Sequence, residues 1–334
     1  MRKRIQVLAV ALLAAAGVGP SVLKAQTAAS AAPAGAPATP ARTSWGDPDL
    51  QGVWDYRTIT PMERRPELGD REFYTEDEVA QLEGRAARRM DKPPDPNAPN
   101  TGLVHAEYLT DPGRHVDDAH RTSLIVDPPT GRMPALTPDA QQRQDAARAA
   151  ATGAPPGGKT DSYRDRPLYE RCITRGLPGT ILPTLYNNNI RIVQSPGYVA
   201  IVHEMIHDTR VVPLDGAPFS GVRSYMGESR GHWEGDTLVV ESRNFNGRAP
   251  FRGAGANLKL TERYRRTSAD KIEFKMTFED DTQWVQPWTV AYSIHPAEGE
   301  LYEYACHEGN YGLHNILENA RDADRAAAAA ARKH

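Results

Sequence analysis

Three ionisable residues, His203, Glu204 and His207, sit inside the otherwise apolar run 199–214, V-A-I-V-H-E-M-I-H-D-T-R-V-V-P-L, with Asp208 and Arg210 close behind. Spelled H-E-x-x-H, the run matches a zinc peptidase helix. There His203 and His207 stack at i and i+4 around one ion, and Glu204 serves as general base. The flanks predict extended backbone instead. Pro196-Gly197 signals a turn before the run, and Pro213 with Asp215-Gly216 closes it. Val199, Ile201, Val202, Ile206, Val211 and Val212 are β-branched, which favours strand over helix. The odd positions from Val199 to Val211 form a mostly apolar face at period two. In one strand the two imidazoles would stand roughly 13 Å apart, at about 3.3 Å per residue. One zinc ion, with ligand bonds of about 2 Å, cannot reach both. The run is therefore read as a strand carrying polar side chains into a β interior. Hydrogen-bonded core histidines are the simplest alternative, and a metal-dependent hydrolase on the H-E-M-I-H residues is another.

A second dense cluster is Tyr304-Ala305-Cys306-His307-Glu308-Gly309-Asn310-Tyr311-Gly312, where the last expected strand gives way to a final helix. Its simplest reading is a strand exit fixed by Cys306, with Glu308 or Asn310 capping the helix. Its functional reading brings His207 and His307 to one cavity with Glu204 or Glu308. A histidine titrates near pH 6.5, so a His/carboxylate pair can move protons at neutral pH. A carboxyl group in an apolar cavity has its pKa raised and can act as an acid. His203, Arg210, Arg171, Tyr186, Asn188 and Asn310 are the candidate substrate contacts: arginines for a carboxylate, tyrosine and asparagines as neutral hydrogen-bonding groups. The Asn187–Asn189 run also reads as a turn.

The elements that must position these residues are strands. From Asn189 onward, expected strands at 190–194, 198–212, 231–234, 237–242, 258–267, 272–278, 283–294 and 300–304 are separated by short turns such as Gly235-Asp236. The fold class expected is mainly β: an antiparallel meander closing into a lipocalin-like barrel, because closure removes exposed edges. Gly52-Val53-Trp54 is expected to start the first strand, with the tryptophan plugging one end. Helices are expected from Thr75, with Glu78 completing a capping box, from Thr137-Pro138, and over 310–331. The organisation read is a signal peptide over 1–25, a disordered Ala/Pro linker over 26–43, an irregular cover with two helices over 44–160, and a barrel core with a C-terminal helix over 161–334, the last two forming one domain.

The address follows from the first residues. Met1-Arg2-Lys3-Arg4 is a basic start, Ile5 to Val18 is apolar, and small residues follow near Ala25, the layout of a secretory signal. The mature chain is expected to be periplasmic or secreted, with no membrane insertion. The two cysteines, Cys172 and Cys306, are then expected to form a disulfide. A net charge of −3 over 334 residues gives no basic field for nucleic acid. No G-x-S-x-G elbow, phosphate loop or dinucleotide fingerprint is present.

G-D-P-D-L-Q-G-V-W, R-T-S-L-I-V-D-P-P-T-G-R, G-Y-V-A-I-V-H-E-M-I-H-D-T-R, G-H-W-E-G-D-T-L-V-V-E-S and Y-E-Y-A-C-H-E-G-N-Y-G-L span nearly the whole mature chain. Together they resemble a large family of secreted proteins from Gram-negative bacteria whose activity is uncharacterised. The resemblance implies export and brings no reaction with it. The residues themselves lead to an enzyme without cofactor doing His/Glu acid–base chemistry, a lyase, isomerase or hydrolase, on a small polar compound such as a sugar derivative or hydroxylated ring. A lipocalin-like carrier of a small-molecule ligand without catalysis is the alternative, and a divalent metal enters only in the metallohydrolase reading.

Overall fold

The computed structural model describes residues 41–91, 110–152 and 158–332. The expected signal peptide and most of the Ala/Pro linker lie outside these residues. Ten strands form one antiparallel sheet. They are β1 (Gly52–Asp55), β2 (Ile125–Asp127), β3 (Asn189–Ser195), β4 (Tyr198–His203), β5 (Thr209–Pro213), β6 (Glu228–Glu234), β7 (Thr237–Arg243), β8 (Lys259–Ser268), β9 (Lys271–Glu279) and β10 (Trp288–Pro296). The order is β5-β4-β3-β1-β10-β9-β8-β7-β6, with β2 pairing on β10. Two hairpin runs, β3–β5 and β6–β10, are thus joined through β1, which pairs with β3 on one side and β10 on the other. The expected single meander is in fact two, and the strand that splices them comes from the N-terminal segment.

The sheet curls into a nearly closed barrel, bringing its edge strands β5 and β6 side by side. Gly231 of β6 packs so tightly on β5 and the residue after it that an added Cβ would stand 2.8 Å from Val212 Cγ1 and 2.7 Å from Leu214 Cδ2. Among the described residues no backbone ladder joins β5 to β6.

Period-two alternation decides which side chains fill the interior. Ile272, Phe274, Met276 and Phe278 of β9 are buried, and Leu260, Glu262 and Tyr264 of β8 face the same way. Phe278 and Trp288 oppose each other across β9 and β10, their rings stacked at 3.9 Å, with Trp284 edge-on to Trp288 at 5.4 Å. Truncating either stacked ring would cost about 3–5 kcal/mol. Trp54 of β1 is buried, its indole N–H donating to Leu50 O at 2.9 Å, and the Arg266 guanidinium lies 5.2 Å over its ring. Aromatic and aliphatic side chains thus make up most of the interior, with the polar Glu262 of β8 among them.

Among the described residues four α-helices accompany the sheet: α1 (Glu76–Met90), α2 (Pro138–Ala150), α3 (Leu177–Ile181) and α4 (Tyr311–Ala331). Thr75 and Glu78 form the expected capping box on α1, and Thr137 caps α2 with Pro138 in its first turn. Two other expectations are corrected. Residues 300–304 form no strand: they follow the Gly299 turn and pair with none of the described strands. Residues 283–287 are a turn, held by Gln283 and Trp284 N–H bonds to Asp280 O, and β10 starts at Trp288.

Candidate functional site

The H-E-M-I-H run is neither one strand nor an α-helix. β4 ends at His203, a single 3-10 turn covers Met205–His207, and β5 starts at Thr209. The hairpin closes through the His203 N–H, which donates to Asp208 O at 2.8 Å. Ile206 and His207 both take left-handed backbone, φ 56° and 41°. Such residues cost about 1–3 kcal/mol each, and a β-branched one is unusual there. Burial of Met205 and Ile206 in the protein holds the turn in place. The reversal breaks the expected period-two face, so His203 and His207 do not share a strand. His203 is fully buried and His207 is exposed.

His203 has both ring nitrogens engaged. Nδ1 lies 3.1 Å from Thr180 O, and the Arg210 Nε–H donates to Nε2 at 3.4 Å. A carbonyl can only accept, so Nδ1 carries the proton and the ring is neutral. Burial, and then the neighbouring guanidinium, hold its pKa well below 6.5. Neither nitrogen is left free to exchange a proton with a substrate.

Arg210 and Glu262 form a fully buried pair, with Nη1 to Oε2 at 2.6 Å and Nη2 to Oε1 at 2.9 Å. The Tyr264 hydroxyl donates to Oε1 at 2.8 Å. Ser229 and Ser242 hydrogen-bond each other at 2.7 Å, beside Nη1. This network links β5 to β6, β7 and β8 from within, across the seam where no backbone ladder runs among the described residues. Arg210, expected to hold a substrate carboxylate, already spends both edges of its guanidinium.

The remaining expected site residues are dispersed. Glu204 accepts from the Asn189 backbone and side chain at 3.2 and 2.9 Å. Asn188 is buried, and its amide is bonded to Thr184 and Asp111 O. Arg171 lies 5.3 Å over the Tyr163 ring. His307 and Glu308 are exposed in the turn before α4. Asn310 caps α4 through Leu313 N, and its amide donates to Glu170 O at 3.2 Å beside the Cys172–Cys306 disulfide. Tyr186 lies near Tyr304 and Arg175; burial first, then Tyr186, raises the Tyr304 pKa. His207 sits on the β4–β5 hairpin turn and His307 in the exposed turn before α4, and neither lines the seam groove or the cleft around Asp118 and His295.

The residues that do meet an opening are others. A groove of about 510 Å³ lies over the β5–β6 seam, bordered by Asp208, Thr174, Arg210, Ser229, Ser224 and Tyr225. Asp208 follows the strained turn directly. Its Oδ2 accepts from the Thr174 hydroxyl at 2.8 Å and the Arg175 N–H at 3.5 Å, and among the described residues no bond ties Oδ1. Burial raises its pKa above the ordinary 3.8, against the pull of those two donors. The groove's outer wall is the loop between β5 and β6, pinned where Glu228 accepts from Ser220 N at 2.8 Å, Gly221 N and the Asn244 amide. Those bonds, the Ser220 backbone first, pull the Glu228 pKa down to about 2.

A His/carboxylate pair exists elsewhere, in a cleft of about 740 Å³ that includes Asp118 and His295. His295 Nε2 is 3.1 Å from Asp118, its Nδ1 is 3.1 Å from Asp270 O, and Lys271 is 2.9 Å from Asp118. Arg57 binds both Asp55 and Asp111 in the same cleft. These charges are consumed by one another and tie the cover to the sheet.

Among the described residues no set of three His, Cys, Asp or Glu is grouped to hold a metal ion, and no helix is long and apolar enough to cross a membrane. The fold and site together define a ten-stranded antiparallel near-barrel with its groove at an unladdered seam. No protein-family model, curated protein or solved structure matches the chain.

Proposed function

We propose that this chain is an exported acid–base enzyme whose working site is the groove over the β5–β6 seam, with Asp208 carrying the proton. The observation behind it is a carboxyl group with a burial-raised pKa and one untied oxygen, held by Thr174 at the edge of a groove of small-molecule size. Raised carboxyls suit general acid–base work because they exchange protons nearer neutral pH. The strained Ile206-His207 backbone supports this reading, since such strain gathers where a side chain must be aimed. Asp208 thus takes the role expected of Glu204 and Glu308. Hydroxyls of Thr174, Ser224 and Tyr225 at the groove favour a small polar substrate, such as a sugar derivative or hydroxylated ring, in a lyase, isomerase or hydrolase reaction. Export rests on the signal-like first 25 residues and the disulfide, which an oxidising compartment maintains.

The test is turnover of a panel of sugar derivatives and hydroxylated rings, followed by NMR with wild type, Asp208→Asn and Asp208→Glu. Wild type should convert at least one compound, Asp208→Asn should still bind it but lose turnover by about 10²–10⁴-fold, and Asp208→Glu should recover part. Binding without conversion by wild type would make the groove a carrier site. Unchanged turnover in Asp208→Asn would remove Asp208 from the reaction.

A further inference from the structure

We propose that a second cleft, lined by Arg175, Arg248 and Arg252 with an apolar floor, binds a small organic anion. The cleft, of about 580 Å³, lies between residues 167–184 and the 248–252 loop. Its lining contains three arginines and no aspartate or glutamate. None of the three makes an ion pair with a carboxylate among the described residues, although the chain as a whole carries a net charge of −3. Arg175 is half-buried. Its guanidinium lies 5.6 Å over the Tyr169 ring, and Nη1 points to Met205 Sδ at 3.8 Å. Both neighbours are neutral, so they fix the guanidinium without neutralising it. A fork held in place, with donors unspent, matches an oxyanion at low ordering cost.

The floor decides what kind of anion fits. Met62, Leu182, Pro183, Pro250 and Phe251 give the cleft an apolar and aromatic surface. Inorganic phosphate or sulfate would leave that surface wet. A carboxylate on a ring or short hydrocarbon body would cover it and place its charge among the arginines. This inference goes beyond the seam groove, with which the cleft shares only Thr174. It holds whether or not Asp208 transfers a proton.

The experiment is calorimetric titration of the folded, disulfide-bonded chain with benzoate, with its neutral counterpart benzamide and with inorganic sulfate. Benzoate should bind saturably at one site, at least about tenfold tighter than benzamide, since only the carboxylate forms a charge-assisted pair with the guanidinium. Arg175→Gln should abolish that binding, and the exposed pair Arg248→Gln with Arg252→Gln should weaken it several-fold without changing the thermal melt. Added salt should weaken it further. If Arg175→Gln fails to fold, the exposed double variant decides. Absence of saturable benzoate binding at millimolar concentration, equal binding of benzamide, or indifference to the arginine variants would each overturn the proposal. Sulfate binding as tightly as benzoate and displacing it would overturn the organic part. Loss of turnover in Asp208→Asn with benzoate binding intact would leave this cleft standing while testing the other site alone.

Discussion

Arg210 on β5 and Glu262 on β8 meet edge to edge inside the barrel, at 2.6 and 2.9 Å, beneath the seam that no backbone ladder crosses. The pair does from the inside what hydrogen bonds between neighbouring strands do elsewhere. Glu262→Gln should lower the free energy of unfolding by about 3–5 kcal/mol, because it strands a buried guanidinium. Arg210→Met combined with Glu262→Leu should cost less than either single change, since no charge is then left unpaired. Urea unfolding at neutral pH measures both. A loss below about 1 kcal/mol in Glu262→Gln would mean that the seam is held by something else.

His203 gives the fold an acid-sensitive term. Its folded pKa is depressed, so the unfolded chain takes up this proton first as pH falls. The stability it contributes is present above pH 6.5 and is lost as pH drops below it, with a slope of at most about 1.4 kcal/mol per pH unit. His203→Gln should flatten the stability profile just below pH 6.5 relative to wild type. Parallel profiles for the two proteins would contradict the neutral, doubly bonded ring.

Asp208 acts in the opposite sense. Its folded pKa is raised, so the fold is favoured below the unfolded value of 3.8 and disfavoured as pH rises through the folded one. Asp208→Asn should therefore gain stability relative to wild type at neutral pH, and the gain should vanish under strongly acidic conditions. Such a gain at the cost of activity is the usual mark of a working group. Equal melting temperatures at neutral and acid pH would count against the burial assigned to this carboxyl.

The Cys172–Cys306 bond spans 134 residues and sits beside the Asn310 cap of α4, a helix with no fully buried residue. Its removal by Cys172→Ser with Cys306→Ser should cost about 2–5 kcal/mol. Hydrogen exchange of residues 311–331 should rise far more than that of β8–β10. Uniform exchange changes across the chain would argue that α4 is anchored in another way.

The loop over the groove depends on Glu228, whose carboxylate gathers the backbone N–H groups of Ser220 and Gly221. Glu228→Gln replaces an acceptor-only group with one that also donates, so amide exchange in 215–227 should accelerate while β7–β9 stay protected. Unaltered exchange in that loop would show that other contacts hold it.

The strands were legible because most are amphipathic at period two and end at Pro-Gly, Gly-Asp or Asp-bearing turns. In Leu258, Leu260, Glu262 and Tyr264 the same alternation sets a carboxylate on the interior face, but nothing local names its partner Arg210. The reversal at 204–208 was hidden, since no glycine, asparagine or proline marks it and Ile206 is a residue that sterics steer away from left-handed backbone. Reading through that turn put His203 and His207 on one face and passed over Asp208. β1 gave its start in Gly52-Val53-Trp54 but not its partners, because pairing between distant strands leaves no local pattern. Thr174, Arg175 and the 248–252 loop lie in irregular segments, and only the folded chain brings them together.

The splice made by β1 orders events during synthesis. Trp54 is paired with Ile190 and with Pro296, about 240 residues further on. A chain emerging from its N-terminus therefore displays a tryptophan-bearing strand long before either partner exists. Contacts of such span form late and slowly. Newly made molecules must spend that interval with two half-sheets uncoupled, the period in which a helper that shields apolar strands would matter most.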